Sequence, residues 1–425
     1  MPGDRASVYQ ATQLGVETTA GTVTPGNRRI LDFMVNARPN VPLTPYRPMG
    51  SVAPTTAIIQ KEWASAAVEG VIGYNSIIYI LNSLIKQISP STPAGATLTR
   101  LWSFKPSNFA PDTPATYTVE KGSSAGAERF AYGMFTNLTQ RWNRTEAALT
   151  SAMMGQALTE SITMTGSPTD IAAAPVDPRS VSVFVGNNTT TNHVQTLAIN
   201  AATGTYVITY DGQSTSALAV GATTAAVQSA LTALTNIGAN NVAVTGTPGT
   251  SYTITFQGAL AGIQVSAFTL SGFTGGPPTV TQTTPGGLTK LTRVSSAEIT
   301  LPDQYNYGFT LNQSDPSFSF FVDQGMEPTA QIVLEHDSAS AALMADMRNR
   351  AQKFCRVVSI GSNIETTSGN ANPNMIVETF PFKFLESDRG DVDAVYTNTY
   401  NLGLQYDSVF AGWFQADVYN SIAAL

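Results

Sequence analysis

Thr205-Tyr206-Val207-Ile208-Thr209-Tyr210-Asp211-Gly212-Gln213 reads as a strand running into a tight turn. From Tyr206 to Tyr210 large side chains alternate with period two, as a half-buried strand requires. Asp211-Gly212 then supplies adjacent residues that tolerate positive φ, which a two-residue hairpin loop needs at both central positions. The stretch predicts a β-hairpin, and the same grammar repeats on both sides of it. Strand-like runs recur at Val242 to Thr245, Tyr252 to Phe256, Val265 to Leu270 and Val280 to Gln282. Between them Val227, Leu231 and Leu234 form one helical face behind a threonine cap at 223–224.

Outward from that hairpin the charge pattern draws a boundary. From Ser180 to Thr289 the one formally charged side chain is Asp211, while Arg179 and Lys290 stand just outside. Residues 192–287 are therefore predicted to be an inserted small β-sandwich module with one helix, closed by the hinge-like Gly286-Gly287. The flanks, 56–191 and 288–425, read as two parts of one discontinuous host domain. Strands are expected in the first part at Leu101–Phe104, Tyr117–Glu120, Phe130–Arg141 and Val181–Val185. The second part continues with Ala297–Leu301, Phe309–Leu311, Phe318–Val322, Ile332–Leu334, Phe354–Ile360, Met375–Phe384, Tyr396–Tyr406 and Trp413–Tyr419. Two helices are expected in the host. One spans 75–88, capped by Asn75 or Ser76 and stopped by Pro90; its Ile77, Ile78, Ile80, Leu81, Leu84, Ile85 and Ile88 mark it as core-packing. The other spans 338–352, capped by Asp337 or Ser338. The first 55 residues carry Pro2, Pro25, Pro39, Pro42, Pro45, Pro48 and Pro54, which predicts an extended arm ordered by a partner, or a disordered tail. The fold class that emerges is mainly β.

Composition narrows the function. Only 12% of the 425 residues are charged, against about 25% in ordinary soluble domains. A surface so poor in charge is either exported or consumed by contacts with neighbouring copies. The net charge of −7 and the lack of a Lys/Arg cluster argue against sequence-specific nucleic-acid binding. The Val71–Ile88 stretch is too polar and short to span a membrane, and no signal peptide is expected. Cys355 stands alone, which leaves no disulfide framework, and is expected to be a buried thiol on a strand. His193 and His336 lack surrounding triad or zinc motifs, and no phosphate-binding loop occurs. No catalytic residue, metal or cofactor is therefore assigned. The single acidic cluster is Glu386, Asp388, Asp391 and Asp393. It reads either as a divalent-cation site or as a solvated loop between strands ending near Phe384 and starting near Val395.

Gln13-Leu14-Gly15-Val16-Glu17-Thr18-Thr19-Ala20-Gly21-Thr22 resembles the opening of the tail tube (major tail) proteins of long-tailed bacteriophages. Further likenesses follow in the same order: Glu69-Gly70 before the 75–88 helix, Asn312-Gln313-Ser314-Asp315-Pro316-Ser317-Phe318, the 338–352 helix leading into Phe354-Cys355-Arg356-Val357, and Tyr419-Asn420-Ser421-Ile422. The 192–287 module departs from that pattern and resembles immunoglobulin-like modules of phage structural proteins and bacterial surface repeats. The resemblance implies a two-sheet sandwich or barrel domain with a flanking helix, assembled as hexameric rings stacked into a tube. Other tail proteins would sit at its two ends, and DNA would pass through the bore without specific binding. It also implies a place in the virion tail, with synthesis in the bacterial cytoplasm. The 1–55 arm would then reach a neighbouring ring, and some of Glu386, Asp388, Asp391 and Asp393 would face the lumen or the ring-to-ring contact. The inserted module would project outward, for decoration or for weak contact with a host surface or glycan. Competing readings are a tail terminator, baseplate or decoration protein, a bacterial surface adhesin, and an enzyme with a glycan-cleaving carboxylate pair.

Overall fold

The computed structural model describes residues 9–59, 61–123, 125–199, 203–274, 278–311, 317–367 and 370–425. The protein is mainly β, with the three helices Ile77–Leu84, Thr224–Thr232 and Ser338–Arg348 among these residues. Its framework is an antiparallel run in the order Phe33–Asn40, Trp63–Val71, Ala147–Gly155, Gly126–Asn143, Val294–Leu301, Thr329–Glu335, Val395–Leu404 and Asn370–Val392. Alternation along each strand gives the run one apolar face. Val68, Leu149, Leu138, Ile299, Ile332 and Leu402 all point into the main core.

Two strands are long enough to serve two neighbourhoods. The start of Gly126–Asn143 pairs with Tyr117–Ser123, and its remainder pairs with Ala147–Gly155. The change of partner falls at Tyr132, whose φ is 54°, next to Gly133. A tyrosine in the left-handed region must be held there by its surroundings. Tyr132 N donates to Glu17 Oε1 at 2.9 Å, and its ring packs 4.9 Å from Phe318. Asn370–Val392 likewise pairs first with Lys353–Thr367 and Gln415–Asn420, then with Val395–Leu404.

The N-terminal motif is built into this framework. Ala11–Val16 pairs with Tyr117–Ser123 and Arg28–Ile30, and Phe33–Asn40 lies on Trp63–Val71. The expected 1–55 arm is thus corrected for residues 11–40; residues 1–8 fall outside the described residues. The prolines do not prevent pairing, because Pro25 sits in a loop and Pro39 on a strand with one paired side, where a missing N–H is tolerated. A side chain at Gly15 would place Cβ 2.3 Å from the Pro25 carbonyl oxygen, so the motif requires glycine there. What does extend is the hairpin Leu43–Tyr46 with Thr56–Ile59.

Helix Ile77–Leu84 is buried along its whole length, as its isoleucine spacing predicts. It is shorter than the expected 75–88, because Asn82 Oδ1 accepts from Ile88 N and draws the chain out of the helix. Ser76 occupies the cap position but donates to Asp32 Oδ2 at 2.6 Å instead of capping. Helix Ser338–Arg348 starts at the expected cap, with Asp337 Oδ1 accepting from Ser340 N, and ends where Arg350 takes φ 53°. The strand expected at Phe309–Leu311 lies instead at Tyr305–Gly308, paired with Phe320–Asp323. Residues 312–316 of the tube-like motif fall outside the described residues.

The low-charge segment leaves and re-enters the host at adjacent strands. Val181–Gly186 pairs with Leu288–Lys290, and Asn187 N donates to Gly287 O at 3.2 Å. Within the segment, Thr209↔Ser214 and Tyr210↔Gln213 close the Asp211-Gly212 hairpin, with φ of 43° and 81° at the turn. Thr223 Oγ1 caps Thr224–Thr232 by accepting from Ala226 N. The expected Val265–Leu270 strand begins later, at Thr269, because the Gln195 amide binds Ser266 O and Phe268 N and holds that stretch off a ladder. The segment's core is continuous with the host. Phe184, Phe354, Val358, Met375 and Val377 come from the second face of host strands and join Leu197, Tyr206, Leu231 and Phe256. Their neighbours Val183, Val185, Cys355, Val357 and Ile376 face the main core. Those host strands are therefore apolar on both sides.

Candidate assembly surface

The face of the antiparallel run that turns away from the core is a field of short polar side chains. Lateral register sets Arg141 beside Glu298, Glu298 beside Gln331, Gln331 beside Asn401 and Asn401 beside Glu386. Hydrogen bonds join the end of this row, with Gln331 Nε2 donating to Asn401 Oδ1 at 2.9 Å and Asn401 Nδ2 to Glu386 Oε1 at 2.8 Å. A parallel row runs through Glu69, Thr150, Thr139, Thr300 and Thr329. Such ladders satisfy side chains along the sheet.

The acidic cluster is not a loop, and that expectation is corrected. The strand continues through it to Val392, paired with Val395–Asn401 around Asp393-Ala394, both of positive φ. A register shift between Phe384 and Glu386 decides where the carboxylates point. Glu386 and Asp388 share the polar face; Asp391, odd in the alternation, lies on the other side, and Asp393 is in the turn. All four are exposed. Among the described residues, no three His, Cys, Asp or Glu side chains gather so as to hold a metal ion.

The run has two edges without a strand partner among the described residues, the first covered at Val35, whose N donates to Thr12 Oγ1, and exposed at Arg38 and Pro39. Phe33–Asn40 has no second strand partner among the described residues, and the 383–392 part of the last strand pairs only with Val395–Leu404. Exposed Arg38 lies on the first edge, and Asp388 and Asp391 on the second. Beside the first edge, the Leu43–Ile59 hairpin presents Leu43, Tyr46, Met49 and Val52 to solvent, with Met49 and Val52 at 104% and 93% exposure. A groove of about 700 Å³ lies near the second edge, lined by Trp142, Arg144, Lys290, Glu335, Asp393 and Val395 among others.

One histidine is enclosed in the inserted segment and the other stands beside the second edge, where the exposed His336 ring packs 5.0 Å from Tyr396. His193 is enclosed in the inserted segment, Nδ1 3.2 Å from Gln264 Oε1, and burial holds its imidazole below the usual range. His336 Nδ1 contacts the Asn398 amide at 2.9 Å, beside the Ser340–Tyr400 hydrogen bonds that fix the helix start. Ser340 is fully buried. Among the described residues no helix is long and apolar enough to cross a membrane.

The motif's Glu17 is a contact that sequence reading left without a role. Its carboxylate accepts from Gly21 N at 2.8 Å, Thr118 Oγ1 at 2.9 Å and Tyr132 N at 2.9 Å. The signal was present, since Gly21, at φ 81°, closes the turn that brings its N–H back to Glu17. No protein-family model matches this chain, and no curated protein matches it significantly.

Proposed function

We propose that this protein is a structural subunit that joins copies of itself, edge to edge, into rings that stack as the tail tube of a long-tailed bacteriophage. The observation that carries the reading is the antiparallel run with an apolar back, a polar front and two edges without a strand partner among the described residues. Open edges of long strands invite pairing with another chain, and closure into a ring removes them. Arg38 on one edge and Asp388 and Asp391 on the other favour heterologous, head-to-tail pairing, which closes into a ring when the rotation allows. The polar face would then be the inner wall. Its Glu69, Glu298, Glu386 and Asp388 outnumber Arg38, Arg141 and Lys383, so a DNA duplex would slide past without retention by phosphate contacts. The exposed hairpin at 43–59 would supply the contact between successive rings. The inserted segment, packed on the second face of the host strands, braces the outer side; its shared core favours bracing over a freely projecting adhesin.

Electron microscopy of the purified chain, with and without the Arg38→Glu substitution, tests the proposal. Hollow tubes or closed rings that are lost on charge reversal support it. A monodisperse monomer at high concentration overturns it.

A further inference from the structure

Glu378 lies in the middle of the main core and is 0% exposed. It sits on Asn370–Val392 between Val357 and Ala416 of the neighbouring strands, with its side chain turned toward the opposite layer. There it meets Gln140 of Gly126–Asn143, also 0% exposed, whose Nε2 donates to Glu378 Oε1 at 2.5 Å. The second carboxyl oxygen of Glu378, Oε2, and the single amide oxygen of Gln140, Oε1, are both buried and without a hydrogen-bond partner.

Two buried acceptors on a hydrogen-bonded pair, neither with a donor, are a costly arrangement if Glu378 is an anion. A protonated carboxyl has one O–H donor, and an amide oxygen is the acceptor it would use. No other donor is hydrogen-bonded to either oxygen, and the one unpaired N–H among the surrounding side chains, Trp142 Nε1, makes no hydrogen bond to either. Lys353–Thr367 contributes Cys355 and Val357 on this face, Gln415–Asn420 contributes Ala416 and Val418, and the opposite layer contributes Leu138, Trp142, Ala297, Ile299 and Leu301. Of these only the Cys355 thiol titrates, and burial holds it well above its usual range, so it stays neutral. Arg356 and Asp417 belong to the other face of their strands, where Arg356 Nε donates to Thr379 Oγ1.

We propose that Glu378 is a neutral carboxylic acid in the folded protein and closes a reciprocal acid–amide pair with Gln140, a latch between the two layers of the core that is released when the acid loses its proton. Burial pushes the Glu378 carboxyl up to about 7, opposed only by the Gln140 N–H. Because this folded value lies above the unfolded one, the latch contributes fully below the unfolded value of about 4.5. Its contribution fades as pH rises and is gone once pH passes the folded value. The latch resides within one chain and holds whether or not the chain assembles.

Infrared spectroscopy of the folded wild type at about pH 6, where ordinary carboxyls are ionised, is expected to reveal one protonated carboxyl band that Glu378→Gln removes. Urea unfolding should show the wild-type folding constant falling on the order of a hundredfold from about pH 5 to about pH 8 relative to Glu378→Gln. Lack of a protonated band at about pH 6, or a wild-type pH profile parallel to that of the variant, overturns the proposal. Should Glu378→Gln not fold, Gln140→Leu serves instead, and its band must shift from the wild-type position as the hydrogen-bond partner is lost; an unshifted band counts against the pair.

Discussion

Replacing Glu17 by alanine should be among the most damaging single changes outside the aliphatic core. The carboxylate is 7% exposed and receives three hydrogen bonds, from Gly21 N, Thr118 Oγ1 and Tyr132 N. On its loss the Thr118 hydroxyl retains a neighbour, since it already accepts from Thr24 N at 2.9 Å. The two backbone N–H groups have no such recourse. Each orphaned donor costs about 1–3 kcal/mol, and Tyr132 also loses the contact that holds its φ of 54° where Gly126–Asn143 changes partners. The expected loss for Glu17→Ala is therefore about 3–5 kcal/mol, a large part of a typical domain's stability. Glu17→Gln, which keeps an acceptor but no charge, should lose about 1–2 kcal/mol. Urea unfolding followed by tryptophan fluorescence suits the test, because Trp63, Trp102, Trp142 and Trp413 all lie in the host domain and none in the inserted segment. An alanine variant within about 0.5 kcal/mol of wild type, the range of ordinary surface substitutions, would refute the role assigned to this carboxylate.

Excising residues 192–285 with a short linker should leave a folded host that binds a hydrophobic dye and aggregates, because Phe184, Phe354, Val358, Met375 and Val377 lose their cover; a soluble, dye-negative host would contradict the shared core. Cys355, 1% exposed and with its thiol raised above the usual range by burial, should resist thiol reagents until the protein is unfolded, and rapid labelling of the native protein would contradict its placement. Met49→Ser combined with Val52→Ser, at two fully solvated positions, should leave unfolding within about 0.5 kcal/mol of wild type while reducing assembly measured by light scattering; unchanged assembly would remove the hairpin from the contact.

Features set by neighbouring residues were legible in the chain. The Asp211-Gly212 hairpin, the Thr223 cap and the fully buried Ile77–Leu84 helix depend on spacing over a few positions, and all three are present. Features set by distant partners were not legible. Ala11–Val16 looks like part of a proline-rich arm until Tyr117–Ser123 is placed beside it. The acidic residues were visible as a group, but which of them share a face depends on the register shift beside Leu385. That bulge has no local marker, so Asp391 could not be separated from Glu386 and Asp388 by reading alone. Glu378 had no visible significance for the same reason, since Gln140 lies on a different strand of the opposite layer.

Electron microscopy of the purified, concentrated protein tests the central proposal most directly. Edge-to-edge closure is expected to give rings or hollow tubes of uniform diameter, with the polar face of the sheet toward the bore and the inserted segment outside. Particles of monomer size at every concentration, or open aggregates in which the 33–40 and 383–392 edges remain unpaired, would contradict it.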